Sequence, residues 1–156
     1  MGASVLGRFN CEPFPATLDR KESDALVDRI KALMDERDYG LWAAELRETG
    51  DFIGFVGLAG PIDFVPKGPS VEIGWRLARQ FWGKGLATEA AKAVLECAFG
   101  QLGLQEVISF TAACNKRSMA VMERIGMRRD PASDFDHPSL PEGHRLRRHV
   151  LYRKRP

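Results

Sequence analysis

A strand, a glycine-rich turn and a long amphipathic helix follow one another over Val71–Phe99, and this unit constrains the fold more than any other segment. In Val71–Leu77, apolar residues alternate with polar or small ones, which is the period-two pattern of a strand with one buried face. After the turn, apolar residues recur at helical spacing from Ala87 to Phe99. Further strands and helices alternate behind this unit, so the chain predicts a mixed α/β fold: one twisted sheet with helices on its faces.

The remaining predicted elements agree with this architecture. A helix is expected over Thr17–Asp38, opened by a capping-box-like pair of Asp19 and Glu22. Further strands are expected at Leu41–Leu46, Phe52–Leu58, Val107–Thr111, Met127–Arg129 and His149–Arg153, a helix at Asn115–Ile125, and loops at Ala59–Pro69 and Pro131–Gly143. No linker or repeat divides the chain, and 156 residues suit a single domain spanning 1–156.

Composition excludes several classes of protein. Lys and Arg number 23 and Asp and Glu 21, so the formal charge of +2 argues against a nucleic-acid partner, and the basic C-terminal residues are interpreted as a solvated face. Because the sequence contains no apolar run long enough to span a bilayer, we expect no association with a membrane. Three scattered cysteines, Cys11, Cys97 and Cys114, lack metal-ligand spacing, which predicts no metal and a reducing, cytoplasmic location.

The turn between the predicted strand and helix has the features of an anion site. Gly83 and Gly85 allow the backbone to approach a ligand without an intervening Cβ. The first amides of the helix have no intrahelical acceptor, and the helix dipole favours negative charge there. Lys84 and Thr88 add a cation and a hydroxyl. The turn fits neither the P-loop nor the dinucleotide-binding pattern, so we expect it to bind phosphate or pyrophosphate in another way.

Two motifs in order make a more specific resemblance. Gln80-x-x-Gly83-x-Gly85, followed by Ala87-Thr88-Glu89-Ala90, resembles the pyrophosphate-binding signature of the GNAT N-acetyltransferase superfamily. Downstream, Asn115-Lys116-Arg117-Ser118 and the segment Val121–Met127 resemble the second motif of that family. Both motifs are most similar to the branch of RimJ/RimL-type ribosomal-protein N-acetyltransferases.

The resemblance implies the acyl-CoA N-acyltransferase fold, with one mixed, mostly antiparallel twisted sheet and helices on both faces. The family begins with a strand and a helix that Met1–Ala16 does not match, so the resemblance implies an N-terminally shortened chain. An uncovered sheet edge would then be open to pairing, which is consistent with a homodimer.

The resemblance further implies acetyl-CoA as cosubstrate, without a metal. The cofactor-binding residues that it implies are Trp75, Leu77, Ala78, Gln80, Trp82, Gly83, Lys84, Gly85, Leu86, Ala87, Thr88, Asn115 and Ser118. Pyrophosphate would bind at the turn, and pantetheine would pair with the end of the preceding strand as an added strand would.

Catalysis in this family needs a base for the amine and an acid for the departing thiolate. Glu72 matches a strand position that some relatives use for the base. The tyrosine that many relatives place seven residues after the asparagine is replaced here by Met122, so Ser118, Tyr152 or a bound water is left to protonate the thiolate. Attack would be direct, with a backbone N–H near Leu77 as oxyanion donor.

The implied function is therefore N-acetyl transfer from acetyl-CoA to a primary amine in a ternary complex. The branch favours a protein N-terminal amine as acceptor, with a small-molecule amine as the alternative. A third interpretation is a protein that binds acetyl-CoA with little turnover, because the N terminus is short and the tyrosine is absent.

Overall fold

The computed structural model describes residues 19–156. This part of the chain contains seven β-strands and three α-helices. The strands are β1 (Leu41–Glu45), β2 (Phe52–Ile62), β3 (Ser70–Leu77), β4 (Val107–Ala112), β5 (Arg128–Arg129), β6 (Phe135–Asp136) and β7 (Arg148–Lys154). The α-helices are α1 (Arg20–Arg37), α2 (Leu86–Glu96) and α3 (Lys116–Arg124), and a π-helical turn, Cys97–Gln101, continues α2. The predicted strands and helices are confirmed, apart from the boundary corrections below.

All seven strands of the described part join one sheet in the order β1-β2-β3-β4-β7-β5, with β6 also paired to β7. Neighbouring strands are antiparallel except β3 and β4, which run parallel. The mixed, mostly antiparallel sheet with flanking helices is therefore confirmed. Within residues 19–156, no helix combines the length and the apolar character needed to cross a bilayer.

The parallel pair β3 and β4 separates almost at once. Glu72 opposite Ile108 is the pair that holds their register, although β3 continues to Leu77 and β4 to Ala112. On its other side, β3 stays paired to β2 as far as Leu77 opposite Gly54. The end of β3 therefore presents a backbone edge to β4 that no described strand occupies.

The larger core lies on the sheet face that α2 and α3 cover, here called the helix face. Apolar residues of both helices pack against alternate residues of the strands. The buried members are Ile53, Val56, Leu58, Ile73, Leu77, Ala91, Val94, Leu95, Ala98, Val107, Met122, Ile125, Met127, Val150 and Tyr152. Burying an aliphatic side chain of this kind stabilises the fold by roughly 1.5–3 kcal/mol, so this face anchors the helices that position the turn.

A smaller cluster occupies the other side of the sheet, here called the opposite face. Val65, Ile108, Phe135 and Leu151 are its buried members, and Ile62 and Phe110 pack against them. Since side chains alternate along a strand, Glu72 lies on this face while its neighbour Ile73 belongs to the helix face.

The start of α1 confirms the predicted capping box. Asp19 Oδ1 accepts from the Glu22 amide at 2.8 Å, and Glu22 Oε2 accepts from the Asp19 amide at 2.8 Å. α1 is the first element of the described part and contributes no buried residue. The prediction of a missing strand and helix concerns Met1–Ala16, which lies outside the described residues.

Two predicted loops contain strand residues. Ala59–Pro69 was expected to be a loop, but β2 runs to Ile62, which pairs with Ser70. The register shifts between Ala59 and Ile62, and such an irregularity accommodates Pro61, which has no amide to donate. The loop predicted over Pro131–Gly143 contains β6, which pairs with the start of β7. β6 is two residues long and lies between prolines and polar residues, so no alternation marks it in the sequence.

Candidate active site

A cavity of about 1130 Å³ lies between the end of β3, the turn before α2 and the N-terminal half of α3. Of the cofactor-binding residues predicted from the sequence, all except Ala78, Gln80 and Lys84 line this cavity. Those lining it are Trp75, Leu77, Trp82, Gly83, Gly85, Leu86, Ala87, Thr88, Asn115 and Ser118. The fold thus brings together two motifs that lie some thirty residues apart in the chain.

The turn itself has the predicted anion-binding geometry. Gly83 and Gly85 have φ angles of 76° and 81°, a conformation that L side chains rarely adopt, and no atom lies within 4 Å of where a Cβ would be. Gly85 caps α2, and its carbonyl accepts from the Glu89 amide at 3.0 Å. The three preceding amides, of Leu86, Ala87 and Thr88, have no acceptor within the helix. These donors and the helix dipole favour an anion at the cavity wall.

Basic side chains surround the cavity and were missed in the sequence. They are Arg76, Arg79, Lys92, Lys116, Arg117 and Arg124, against one acidic lining residue, Glu89. Because half of them come from α3, their convergence depends on the packing of α3 beside α2, which no local pattern reveals. The cavity therefore suits a ligand that carries several negative charges.

Trp82 connects the turn to the end of β3. Its indole Nε1 donates to the carbonyl oxygen of Leu77 at 2.7 Å, and the guanidinium of Arg117 lies 4.9 Å from the ring centroid. A hydrogen bond of this type contributes roughly 0.5–1.5 kcal/mol. The indole thus joins β3, the turn and α3, a connection that the sequence pattern does not reveal.

Asn115 and Ser118 form a compact polar group at the start of α3. Asn115 Oδ1 accepts from the Ser118 amide at 3.2 Å, which caps the helix. Asn115 Nδ2 donates to Thr111 Oγ1 at 3.0 Å and to Ser118 Oγ at 3.1 Å. Since Ser118 Oγ accepts in this arrangement, its own proton is left for another acceptor in the cavity.

Glu72 lies outside this cavity, on the opposite face. Its carboxyl has no hydrogen bond or ion pair with any residue of the described range 19–156. Burial raises the pKa of its carboxyl to about 8, from an ordinary value of 4.5. Glu72 Oε1 lies 3.9 Å from where a Cβ on Gly74 would be, so the missing side chain leaves space beside the carboxyl. A carboxyl with this pKa can accept a proton near neutral pH.

The other predicted residues lie away from the cavity. Tyr152 is 2% exposed within the helix-face core, and its hydroxyl donates to Glu123 Oε1 at 3.1 Å. Burial and that carboxylate raise the pKa of the phenol. The amide of Ala78 donates to the Ile53 carbonyl at 2.8 Å, and Lys84 Nζ lies 5.7 Å from the Phe81 ring centroid.

Gln80 and Met122 also lie apart from the cavity lining. Gln80 is part of the short 3-10 turn Arg79–Phe81. Met122, at the position of the family's tyrosine, is buried in the core. Among the described residues, no three His, Cys, Asp or Glu side chains are grouped so that they could hold a metal ion.

Comparison with known proteins identifies the family. A family model described as an acetyltransferase (GNAT) domain matches residues 4–128. The uncharacterized protein YkkB of Bacillus subtilis is 37% identical over 95 residues, which cover 60% of this chain and 54% of that protein. An FsC-acetyl coenzyme A-N(2)-transacetylase of Aspergillus fumigatus is 38% identical over 93 residues, 57% of this chain and 39% of that protein. The chain thus spans about half, or less, of the length of these curated relatives.

A solved structure agrees over a longer range. The acetyltransferase from Agrobacterium tumefaciens superposes with a TM-score of 0.68 at 30% identity, covering 90% of this chain and 75% of that one. The family match spans both motifs that line the cavity. The chain belongs to the GNAT acetyltransferase family.

Proposed function

We propose that this protein transfers an acetyl group from acetyl-CoA to a primary amine by direct attack in a ternary complex. The observation that carries the proposal is the cavity that connects the free amides of α2 to the separated edge of β3. One end of this path suits a pyrophosphate, and the other suits an extended amide chain. Acetyl-CoA carries both groups, and it supplies the activated acetyl thioester.

The residues of the cavity fit this ligand. The amides of Leu86–Thr88 would bind the pyrophosphate, and the surrounding basic side chains would offset its charge and that of the 3′-phosphate. Gly83 and Gly85 leave open space where a side chain would block the approach. The backbone of Trp75–Leu77 would pair with the amides of the pantetheine arm, and Asn115 lies across the cavity from it.

Glu72 is proposed as the base. In the reaction, the amine nitrogen bonds to the thioester carbonyl carbon, the carbon–sulfur bond breaks, and the ammonium loses a proton. A carboxyl that titrates at about pH 8 is matched to this proton transfer, directly or through a water. Glu72 is the residue of β3 that pairs with Ile108, next to the point where the two strands separate, and this position supports the proposal.

Ser118 is proposed as the acid that protonates the departing thiolate. It lines the cavity, and its hydroxyl proton is not engaged by Asn115, which donates to the same oxygen. Tyr152 is the weaker of the two side-chain candidates, because its hydroxyl is engaged with Glu123 and it does not line the cavity.

The acceptor is an amine whose class the cofactor cavity does not specify. A protein N-terminal amine and a small-molecule amine both stay open as proposals. The Aspergillus fumigatus relative is named for N(2) acetyl transfer from acetyl-CoA, which supports nitrogen as the acceptor atom.

Thiol release from acetyl-CoA, measured with a panel of amines and short peptides, tests the function. We expect amine-dependent release well above hydrolysis. Tight acetyl-CoA binding without release by any amine or peptide would instead support a binding protein with little turnover.

A homodimer through a sheet edge is also a proposal. Among the described strands β1 pairs with β2 alone, so its second edge meets no strand of residues 19–156. Unpaired edge groups can pair with a second copy of the chain. Light scattering at rising protein concentration should give twice the chain mass, and a monomer mass throughout would contradict this proposal.

A further inference from the structure

Aromatic rings on the opposite face lie beside Glu72 and have no part in binding acetyl-CoA. We propose that they form an acceptor subsite, and that the acceptor carries an aromatic ring within two or three bonds of its amine. This inference rests on the proposed function, because it assigns the acceptor of the same site. The cluster, here called the aromatic wall, consists of Phe64, Phe110, Phe135, His137 and His149.

The rings of the aromatic wall contact one another in edge-to-face, tilted and stacked pairs. The Phe64 centroid lies 5.9 Å from Phe110 and 5.2 Å from His137, at interplanar angles of 72° and 62°. Phe110 and Phe135 are 5.3 Å apart, and Phe135 stacks on His149 at 5.7 Å. These separations lie within the range where aromatic pairs attract. A further ring could therefore join the wall in the same geometry.

The wall has a buried base and an exposed edge. Phe135 and His149 are buried, whereas Phe110 and His137 are partly buried and Phe64 is 40% exposed. Phe64 is thus one of the few large apolar side chains of the described part that present this much surface to solvent. Covering such a ring with an apolar ligand removes apolar area from water and is favourable.

Strand register sets the wall beside Glu72. Glu72 pairs with Ile108, a buried member of the smaller core cluster on the opposite face, and Phe110 follows two residues later on the same face. Residues two apart in a strand are separated by roughly 6.6 Å. If the acceptor's amine lies at the Glu72 carboxyl, an aromatic ring two or three bonds from that amine would reach the near edge of the aromatic wall.

The charges around the wall suit a cationic amine. The faces of the rings attract an ammonium before its proton is removed, and the Glu72 carboxyl attracts it once the carboxyl is ionised. Burial lowers the pKa of both His137 and His149, so neither ring repels a cation at neutral pH. Asp136 is paired with Arg147 and Arg148, whereas the Glu72 carboxyl has no partner among the described residues.

The test compares amines with and without a ring, and each rate is expressed per concentration of unprotonated amine. Thiol release is measured with phenethylamine and n-pentylamine, and in a second arm with the peptides Phe-Gly-Gly and Ala-Gly-Gly. We expect kcat/KM to be about tenfold higher for the aromatic member of a pair, since ring contacts and ring burial together contribute on that scale. A preference in the first arm identifies a small aromatic amine as the acceptor, and a preference in the second arm identifies a peptide with an aromatic N-terminal residue.

Variants then assign the preference to Phe64. Phe64→Leu keeps apolar bulk without the ring and should abolish the preference, with acetyl-CoA affinity unchanged. Phe52→Leu is the matched control, since Phe52 is 56% exposed at the far end of β2 and should leave the preference intact. Equal rates within both pairs, or a preference that survives in Phe64→Leu, would overturn this inference and leave the proposed function standing. If none of the amines or peptides supports thiol release, that result would contradict the proposed function, and this inference with it.

Discussion

At the scale of single residues, Glu72 is the proposed base and Ser118 the proposed acid. One is a carboxyl whose pKa burial raises to about 8, and the other is a hydroxyl held by Asn115 at the cavity wall. Both were candidates from the sequence, where each was one of several polar residues near a motif. Their surroundings, which only the folded chain supplies, separate their roles.

Replacing Glu72 by Gln removes the proposed base. In the unaltered protein, kcat/KM should rise with pH through about pH 8, because the ionised carboxyl accepts the proton. In Glu72→Gln we expect that rise to disappear and the rate to fall by about a hundredfold or more. Glu45→Gln, an exposed carboxyl on β1, serves as the control. The profiles should be recorded with two amines of different basicity; a rise that moves with the amine's own pKa and persists in Glu72→Gln would refute the assignment.

Replacing Ser118 by Ala removes the proposed acid. We expect kcat to fall by about tenfold to a hundredfold, because the thiolate would leave without a positioned proton donor, while the acetyl-CoA Kd changes little. Tyr152→Phe is the matched variant, since it keeps the buried ring and removes the hydroxyl. A loss of kcat in Tyr152→Phe with a normal Ser118→Ala would reverse the two roles.

At the scale of elements, the unit from β3 through the turn to α2 carries the site, and its order is readable in the sequence. Alternation identifies the strand, helical periodicity identifies the helix, and two glycines mark the turn. The hydrogen bond from Trp82 to Leu77 is not readable, because nothing local shows that an indole five residues on turns back to the strand. The same holds for the basic residues of α3, which reach the cavity through tertiary packing.

Trp82→Phe tests whether that hydrogen bond positions the turn. Losing the indole N–H leaves the Leu77 carbonyl without its donor, at a cost of roughly 1–3 kcal/mol. If the lost hydrogen bond destabilises the conformation of the turn that binds acetyl-CoA, the acetyl-CoA Kd should rise by about fivefold to tenfold. Calorimetry measures it, with Trp42→Phe, a partly buried residue of β1 away from the cavity, as the control. An unchanged Kd in Trp82→Phe would mean that the ring only packs.

At the scale of the whole molecule, the sheet divides the chemistry between its faces. The cavity lies on the helix face, and Glu72 with the aromatic wall lies on the opposite face. The point where β3 and β4 separate lies next to Glu72. Sequence periodicity predicted the sheet and its helices, but β6 and the end of β2 were missed because short or irregular strands lack a clear alternation. The aromatic wall was missed because its rings come from four separate segments.

The buried carboxyl also makes stability depend on pH. Because the pKa of Glu72 is raised on folding, the folded chain holds this proton more tightly than the unfolded chain does. The Glu72 contribution to the free energy of unfolding should be fully present below pH 4.5 and decline as pH rises to about 8. Glu72→Gln should therefore be more stable than the unaltered protein above pH 8, by a margin that shrinks towards pH 5. Urea unfolding at the two ends of this range measures the margin, and a margin independent of pH would contradict a raised pKa.

The central claim is that the turn before α2 binds the pyrophosphate of acetyl-CoA, and calorimetry with Gly83→Asp tests it most directly. The aspartate would place a negative charge, and a side chain at a φ of 76°, where the phosphates would bind. Gly143→Asp is the control, because Gly143 has a φ of 77° and open space in a loop that does not line the cavity. We predict tight binding by the unaltered chain and by Gly143→Asp, and its loss in Gly83→Asp. Binding that survives Gly83→Asp, or no binding by the unaltered chain, would contradict the claim.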